Sequence, residues 1–169
     1  GENKYEAYLK ALTASKFHVN KPGIVIVSIG SNQFRDEFSK SLRYLEEYFE
    51  DVRFTPGTGI YYGKHKNTTL SYDEVITTMK AGKVGLFINI SKPTRSENTK
   101  TKGWKLRRTA INTHTPTITN IKCAKMYVYA IVNYYQESLK IKDVDYVASL
   151  HRFKGTDIHE RYNILLNKT

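Results

Sequence analysis

Three short segments of this sequence place polar side chains where free backbone N–H groups are expected, a combination that suits the binding of an anion. The first segment covers residues 30–35, Gly-Ser-Asn-Gln-Phe-Arg, and follows a run of β-branched residues. Ser31 or Asn32 can cap a helix there, which places Arg35 in the first turn, beside the positive end of the helix dipole. The segment is therefore a candidate phosphate-binding site with Arg35 as its cation.

The second segment, residues 55–59, is a predicted turn-rich loop that combines two threonines with two glycines. Thr55, Gly57 and Thr58 would let the backbone approach an anion closely and donate hydrogen bonds from main chain and side chains. Loops of this composition are also common as plain turns, and that alternative stays open. Lys64 and Lys66 follow shortly afterwards and add positive charge.

The third segment begins with Asn89, Ser91 and Lys92, at the end of an apolar run that is typical of a buried strand. Residues 92–108 then hold seven cations and one carboxylate, Glu97. The cations are Lys92, Arg95, Lys100, Lys102, Lys105, Arg107 and Arg108. So uneven a distribution predicts a local positive field that would attract a polyanion. A solvated basic surface is the alternative interpretation.

An alternation of strands and helices must position these segments. Apolar and β-branched runs predict strands over residues 24–29, 52–54, 84–90 and 117–119, with a possible edge strand within 64–70. Helical spacing predicts helices over about 3–13, 32–49, 71–80, 103–113 and 120–135. This order is typical of an α/β domain with a parallel sheet and helices on both faces. Because ligands bind at the carboxyl ends of parallel strands, the three polar segments are expected at one edge of the sheet.

Length and charge narrow the class of function. The chain has 169 residues, with 27 Lys and Arg against 16 Asp and Glu, a formal net charge of +11 and 40% hydrophobic residues. We expect one domain with a hydrophobic core and an anionic partner, which could be nucleic acid, anionic lipid or a phosphorylated small molecule. No apolar run approaches the ~20 residues that span a bilayer. The single cysteine, Cys123, excludes an internal disulfide. We expect a cytoplasmic location and no membrane partner.

The chain also lacks several motifs that would indicate an enzyme. It contains no Gly-Lys-Ser/Thr phosphate loop, no Gly-x-Gly-x-x-Gly dinucleotide motif and no Gly-x-Ser-x-Gly nucleophile elbow. Its five histidines form no i,i+4 pair, so we expect no metal site and no cofactor. Acids and bases are scarce near the three polar segments. We therefore expect a binding module without catalytic residues.

Two stretches carry a resemblance to a known family. They read Thr101-Lys102-Gly103-Trp104-Lys105-Leu106-Arg107-Arg108-Thr109-Ala110 and Pro116-Thr117-Ile118-Thr119-Asn120-Ile121-Lys122-Cys123-Ala124-Lys125. Over about residues 5–135 the chain resembles the C-terminal regulatory domain of carbamoyl phosphate synthetase, and most closely that of the glutamine-dependent, pyrimidine-pathway enzymes. The resemblance implies a methylglyoxal-synthase-like fold, a three-layer α/β/α sandwich with a five-stranded parallel sheet. We accordingly expect an N-terminal helix and linker over 1–20, an effector-binding domain over 21–135, and a C-terminal helical tail or linker over 136–169.

The resemblance also implies a regulatory role. The domain would bind UTP as inhibitor and phosphoribosyl pyrophosphate as activator, and would control the catalytic domains of the same synthetase. The effector-site positions of the family fall on Arg35, Thr55, Thr58, Lys64 or Lys66, Asn89 and Ser91, with the backbone of Gly57 beside them. The basic segment over residues 92–108 would close over a polyphosphate through Lys92, Lys100, Lys102, Arg107 and Arg108.

Two other functions compete with this one. A nucleic-acid-binding module would use the same basic segment and the thirteen tyrosines, although most of these fall at core-facing helical positions. We therefore expect no nucleic acid among the partners. A lyase like methylglyoxal synthase would need a carboxylate after the strand over 84–90, and residues 90–94 supply none. Trp104 could stack on a base or fill the core, and we expect the core.

Overall fold

The computed structural model describes residues 3–17, 19, 23–92 and 102–141, with side chains as far as residue 134. Contacts divide the chain into two units, residues 1–132 and 133–169. Of the second unit, the structure describes residues 133–141, which are helical. The fold and the site below belong to the first unit.

The first unit contains a parallel sheet of four strands, β1 (Ile24–Ile29), β2 (Val52–Phe54), β3 (Val84–Ile90) and β4 (Thr117–Ile118). Their order across the sheet is β2-β1-β3-β4, and all three pairings are parallel. All seven residues of β3 are buried, as expected for a central strand that helices cover on both faces. The predicted α/β class and the parallel sheet are confirmed.

The five-stranded sheet that the resemblance implies is reduced to four strands in the described part of the chain. Where a fifth strand would extend the sheet beyond β2, a single parallel bridge joins Phe54 to Thr69. The Leu70 N–H donates to the Phe54 carbonyl at 2.8 Å. A short 3₁₀ helix, Lys66–Thr68, ends just before this bridge and the next helix begins at Tyr72, so few residues remain for a longer ladder. The possible edge strand within 64–70 is therefore one bridge long.

Six α-helices accompany the strands in the described residues. They are α1 (Lys4–Ala14), α2 (Asn32–Tyr48), α3 (Pro56–Tyr61), α4 (Tyr72–Lys80), α5 (Lys102–Asn112) and α6 (Ile121–Ile141). Four of them lie close to the predicted ranges, and α6 begins as predicted but continues past residue 135 to Ile141. The predicted loop over 55–59 is wrong because α3 begins there. Pro56 suits the first helical position. Gly59 allows a close approach, since a Cβ there would lie 2.5 Å from the Thr69 hydroxyl oxygen.

Helices cover both faces of the sheet. On one face, Ile26 and Phe87 form a buried cluster with Met79 of α4 and with Leu106 and Ala110 of α5. Alternate residues of β1 point to the opposite face. The buried side chains of α2 and of the described part of α6 are Phe38, Leu42, Leu45, Ile121, Ala124, Tyr127, Val128, Ala130 and Ile131. The helices packed on both faces therefore hold the strands, and with them the segments that follow the strands at the sheet edge.

Leu106 anchors α5 to the sheet, and its side chain is fully buried. We expect Leu106→Ala to lower the free energy of unfolding by roughly 2–5 kcal/mol, because a cavity replaces packed methyl groups. Ile111 lies on the same helix but is 69% exposed, so Ile111→Ala is the matched control. Chemical denaturation of both variants measures the difference. Equal losses would contradict the assigned packing of α5.

A capping box starts α4. The Ser71 N–H donates to Glu74 Oε2 at 2.7 Å, and the Glu74 N–H donates to Ser71 Oγ at 3.2 Å. These hydrogen bonds lower the pKa of Glu74 below its ordinary value of 4.5. The carboxylate therefore contributes stability above about pH 4.5, and the contribution is lost as the pH falls further.

We expect Glu74→Ala to destabilise the protein at neutral pH, because the carboxylate that accepts the hydrogen bond from the Ser71 N–H is lost. The stability difference from wild type should shrink as the pH falls from about 4.5. Denaturation curves collected across this range measure it, with Glu47→Ala on the exposed side of α2 as control. A difference that stays constant with pH would show that the carboxylate charge does not support the cap.

Candidate functional site

An open cleft of about 370 Å³ lies where β1 and β3 end and α3 and α5 begin. The three polar segments identified in the sequence meet there, because the carboxyl ends of parallel strands share one edge of the sheet. Four cations line the cleft, and no carboxylate does among the described residues. The cations are Arg35, Lys92, Lys102 and Arg107.

Three hydroxyl groups form the floor of the cleft beside the end of β1. Thr58 Oγ1 accepts a hydrogen bond from the Ile29 N–H at 2.9 Å. Thr55 Oγ1 lies 3.2 Å from Thr58 Oγ1 and donates to Ser28 Oγ at 3.1 Å. Both threonines are almost completely buried. These bonds tie the first turn of α3 to β1, so the threonines position the backbone at Gly57 as well as lining the cleft.

The Arg35 guanidinium is held in place by groups without a formal charge. Its Nε donates to the Ile29 carbonyl at 2.8 Å and its Nη1 to Asn32 Oδ1 at 2.8 Å. The guanidinium also lies over the Tyr61 ring, 5.3 Å from the ring centroid. Its Nη2 would lie 3.3 Å from a Cβ on Gly57, so the remaining donors face the first turn of α3. The side chain is thus preorganised to meet an anion there.

Two tyrosines fasten α3 to α2 behind this arginine. The Tyr61 hydroxyl donates to Asp36, and the Tyr62 hydroxyl donates to the Arg35 carbonyl at 2.6 Å. The hydrogen bond to Asp36 raises the pKa of Tyr61, and burial raises the pKa of Tyr62 above its usual range. Both phenols therefore stay protonated and keep donating at neutral pH.

The opposite wall of the cleft joins the end of β3 to α5. Asn89, which is 2% exposed, donates from Nδ2 to the Gly103 carbonyl at 3.1 Å. A carbonyl only accepts, so this contact also determines which way the amide faces. Arg107 donates to the Ser91 hydroxyl. Two links between β3 and α5 therefore fix the position of Arg107 over the cleft.

Gly30 allows the two walls to approach each other. Its N–H donates to the Ile90 carbonyl at 2.8 Å. A Cβ at this position would lie 2.7 Å from the Lys92 backbone nitrogen, closer than any tolerable contact. A glycine is therefore required if Ser91 and Lys92 are to lie beside the start of α2.

The cleft cations differ from the paired cations elsewhere in the described residues. Outside the cleft, the salt bridges among the described residues are Lys10–Glu6, Arg53–Asp51, Lys64–Glu46 and Lys125–Glu37. In the cleft, Arg35 and Arg107 donate to neutral oxygens, and Lys102 lies over the Tyr72 ring, 4.9 Å from its centroid. As far as the structure describes the cleft, its positive charge is thus left available to an anion that enters it.

Most of the predicted site residues line this cleft. They are Arg35, Thr55, Gly57, Thr58, Asn89, Ser91, Lys92, Lys102 and Arg107. Lys100 lies outside the described residues.

Three other predicted residues do not line the cleft: Lys64, Lys66 and Arg108. Lys64 pairs with Glu46 of α2, because α3 replaces the predicted loop and carries the chain away from the sheet edge. Lys66 lies in the 3₁₀ helix beyond β2. Arg108 is exposed, since one residue along a helix turns a side chain by about 100°.

Two aromatic residues behave differently from expectation. Trp104, expected in the core, is 41% exposed, because Leu106 and Ala110 occupy the inward face of α5. Sequence reasoning missed Tyr72, which lines the cleft as the first residue of α4. Its signal was the capping pattern of Ser71 and Glu74, which places residue 72 at the start of a helix that follows the sheet edge.

The described residues show neither a metal site nor a membrane-spanning helix. They contain no group of three or more His, Cys, Asp or Glu side chains arranged to hold a metal ion. None of the helices described is long and apolar enough to cross a membrane.

Comparison with known proteins gives several similar sequences, although no protein-family profile matches the chain. It is 32% identical over 174 residues to "Multifunctional protein pyr1-3" of Dictyostelium discoideum, covering 94% of this chain and 8% of that protein. It is 31% identical to "Multifunctional protein URA2" of Saccharomyces cerevisiae, over 78% of this chain and 7% of that protein. It is 30% identical to the "Carbamoyl phosphate synthase large chain" of Caldanaerobacter subterraneus subsp. tengcongensis, over 75% of this chain and 12% of that protein. The chain thus spans a small part of the relatives it matches.

The fixed geometry of Arg35 makes a substitution that keeps the charge informative. We expect Arg35→Lys to weaken binding of inorganic triphosphate about tenfold, because lysine cannot keep the Ile29 contact and still present a planar pair of donors. Titration calorimetry measures the affinity, with Arg43→Lys on the exposed side of α2 as control. Equal affinity for wild type and Arg35→Lys would show that charge alone matters at this position.

Proposed function

This chain belongs to the carbamoyl phosphate synthase family and corresponds to one domain of it, and we propose that it is the effector-binding regulatory domain of such an enzyme. The observation that supports the proposal is the cationic cleft, which has no carboxylate among its described lining residues. Its volume of about 370 Å³ falls within the range of small-molecule sites. A small polyanion fits these properties best.

The effectors that we propose are UTP as inhibitor and phosphoribosyl pyrophosphate as activator. Both carry several adjacent negative charges, which four converging cations would neutralise in a concave site. A long nucleic acid would need cations spread along an open surface rather than gathered in a cleft. The concave arrangement therefore favours a small effector over a nucleic acid.

We assign distinct roles to the residues of the cleft. Arg35 and the backbone at Gly57 would hold one phosphate at the start of α3. Lys92, Lys102 and Arg107 would neutralise the others. Asn89 and Ser91 would contact ribose or phosphate oxygens, while Thr55 and Thr58 would support the phosphate-binding turn. Lys100 stays a predicted member of the site.

In this proposal the domain has no catalytic residue and needs no cofactor. A lyase like methylglyoxal synthase abstracts a proton from a triose phosphate and needs a positioned general base. The described cleft lining offers no carboxylate and no histidine for that role. An assay for methylglyoxal formation from a triose phosphate should accordingly give no activity above background.

Regulation would act on the catalytic domains of the same synthetase. An effector shifts an equilibrium only if it binds two states with different affinity. The cleft is suited to this, because its walls belong to separate elements that hydrogen bonds join: α3 to β1, and α5 to β3. An effector that changed the spacing of these elements would alter the surface of the domain.

Neighbouring arginines on α5 allow a matched test of the proposal. We expect Arg107→Gln to weaken binding of both UTP and phosphoribosyl pyrophosphate about tenfold or more, because Arg107 lines the cleft. Arg108→Gln removes the same charge from an exposed position outside the cleft, and its affinities should stay within about threefold of wild type. Titration calorimetry measures both variants. Equal weakening would locate the effector elsewhere, and no binding to wild type would refute the proposal.

A further inference from the structure

Tyr72 is the aromatic residue among the described residues that line the cleft. It is the first residue of α4, and the capping box of Ser71 and Glu74 fixes where that helix begins. The side chain is half-buried and packs against the core cluster formed by β1, β3, α4 and α5. The ring is therefore supported by the core on one side and lines the cleft on another.

Lys102 covers this ring on the cleft side. Its ammonium lies 4.9 Å from the ring centroid, and both side chains line the same cleft. Lys102 is itself exposed and is the first residue of α5. A cation–π contact at such a site is weak, about 0.5–1 kcal/mol, so a phosphate close by would readily attract the ammonium away.

We propose that Tyr72 is the residue that recognises the base of a nucleotide effector. As the phosphates enter the cleft, the Lys102 ammonium moves from the ring to a phosphate oxygen. The planar base then takes its place and stacks on Tyr72. This inference rests on the proposed function and adds to it the basis on which the site distinguishes a nucleotide from other polyphosphates.

Charge supports the exchange of partners. An ammonium between a ring and a phosphate gains more from the phosphate, because the phosphate carries full negative charge and accepts a charge-assisted hydrogen bond, whereas an exposed cation–π contact is worth about 0.5–1 kcal/mol. The vacated ring face is apolar and backed by core side chains, so a base that covers it removes apolar surface from water. A ligand without a base can recruit Lys102 but leaves the Tyr72 ring uncovered.

The inference predicts a change in selectivity rather than a general loss of binding. Tyr72→Leu should weaken UTP binding at least about fivefold, which is the low end for loss of one base–aromatic stacking contact. Binding of inorganic triphosphate should stay within about twofold of wild type. Tyr72→Phe keeps the ring and should bind both ligands as wild type does. Tyr44→Leu, on α2 outside the cleft lining, is the control for loss of a tyrosine.

Titration calorimetry on the full chain distinguishes the outcomes, with a thermal unfolding curve for each variant. Equal weakening of UTP and triphosphate by Tyr72→Leu would overturn the inference, and so would unchanged binding of both. Wild type that binds triphosphate as tightly as UTP would overturn base recognition while leaving the phosphate site intact. Wild type that binds neither ligand would refute the proposed function itself.

A second variant keeps the test decisive if Tyr72→Leu does not fold. Lys102→Met removes the contact of the lysine with phosphate for both ligands. It also leaves the Tyr72 ring face open to a base, because no ammonium competes for it. Triphosphate affinity should therefore fall more than UTP affinity, by at least about twofold. Equal losses for the two ligands would show that lysine and base do not share the ring face, and would overturn the proposed exchange.

Discussion

The buried hydrogen bond from the Ile29 N–H to the Thr58 hydroxyl is the contact on which the cleft depends. It joins the last residue of the central strand β1 to the short helix α3. Thr55 extends the link by donating to Ser28 Oγ, so two consecutive strand residues are each joined to a threonine hydroxyl at the start of α3. Because these hydroxyls are buried, a lost partner would leave a polar group unsatisfied, at a cost of about 1–3 kcal/mol. The backbone at Gly57 is therefore held to the sheet edge by hydrogen bonds on both sides of it in sequence.

The same contact determines where Arg35 can lie. Its guanidinium donates to the carbonyl of Ile29, the residue whose N–H bonds to Thr58. One strand terminus thus positions a threonine on one side and an arginine on the other. The Tyr62 hydroxyl completes the arrangement by joining α3 to the Arg35 carbonyl. Arg35 and the start of α3 are consequently linked through shared contacts at the end of β1.

Some elements of the fold can be predicted from the sequence, and others cannot. The strands were predictable because continuous apolar runs such as Val84–Ile90 are typical of buried parallel strands. The short helix α3 was not, since its two glycines weaken helix propensity. The contacts that hold it, from Thr58 to Ile29 and from Gly59 to Thr69, join residues far apart or outside the helix. That error also misplaced Lys64, which the helix directs to Glu46. Tyr72 was missed because the capping pattern places it at the start of a helix but does not show which elements meet at the sheet edge.

The described partners of the cleft cations carry no formal charge, and this makes it easier for an anion to enter. A cation paired with a carboxylate would first have to give up that partner, and the freed carboxylate would then repel an incoming phosphate. The Ile29 carbonyl, the Ser91 hydroxyl and the Tyr72 ring orient the cations without adding negative charge. An anion therefore gains the full attraction of several cations, and its arrival relieves their mutual repulsion. A site built in this way responds steeply to the number of charges on its ligand, which is the property that separates a polyphosphate from a monophosphate.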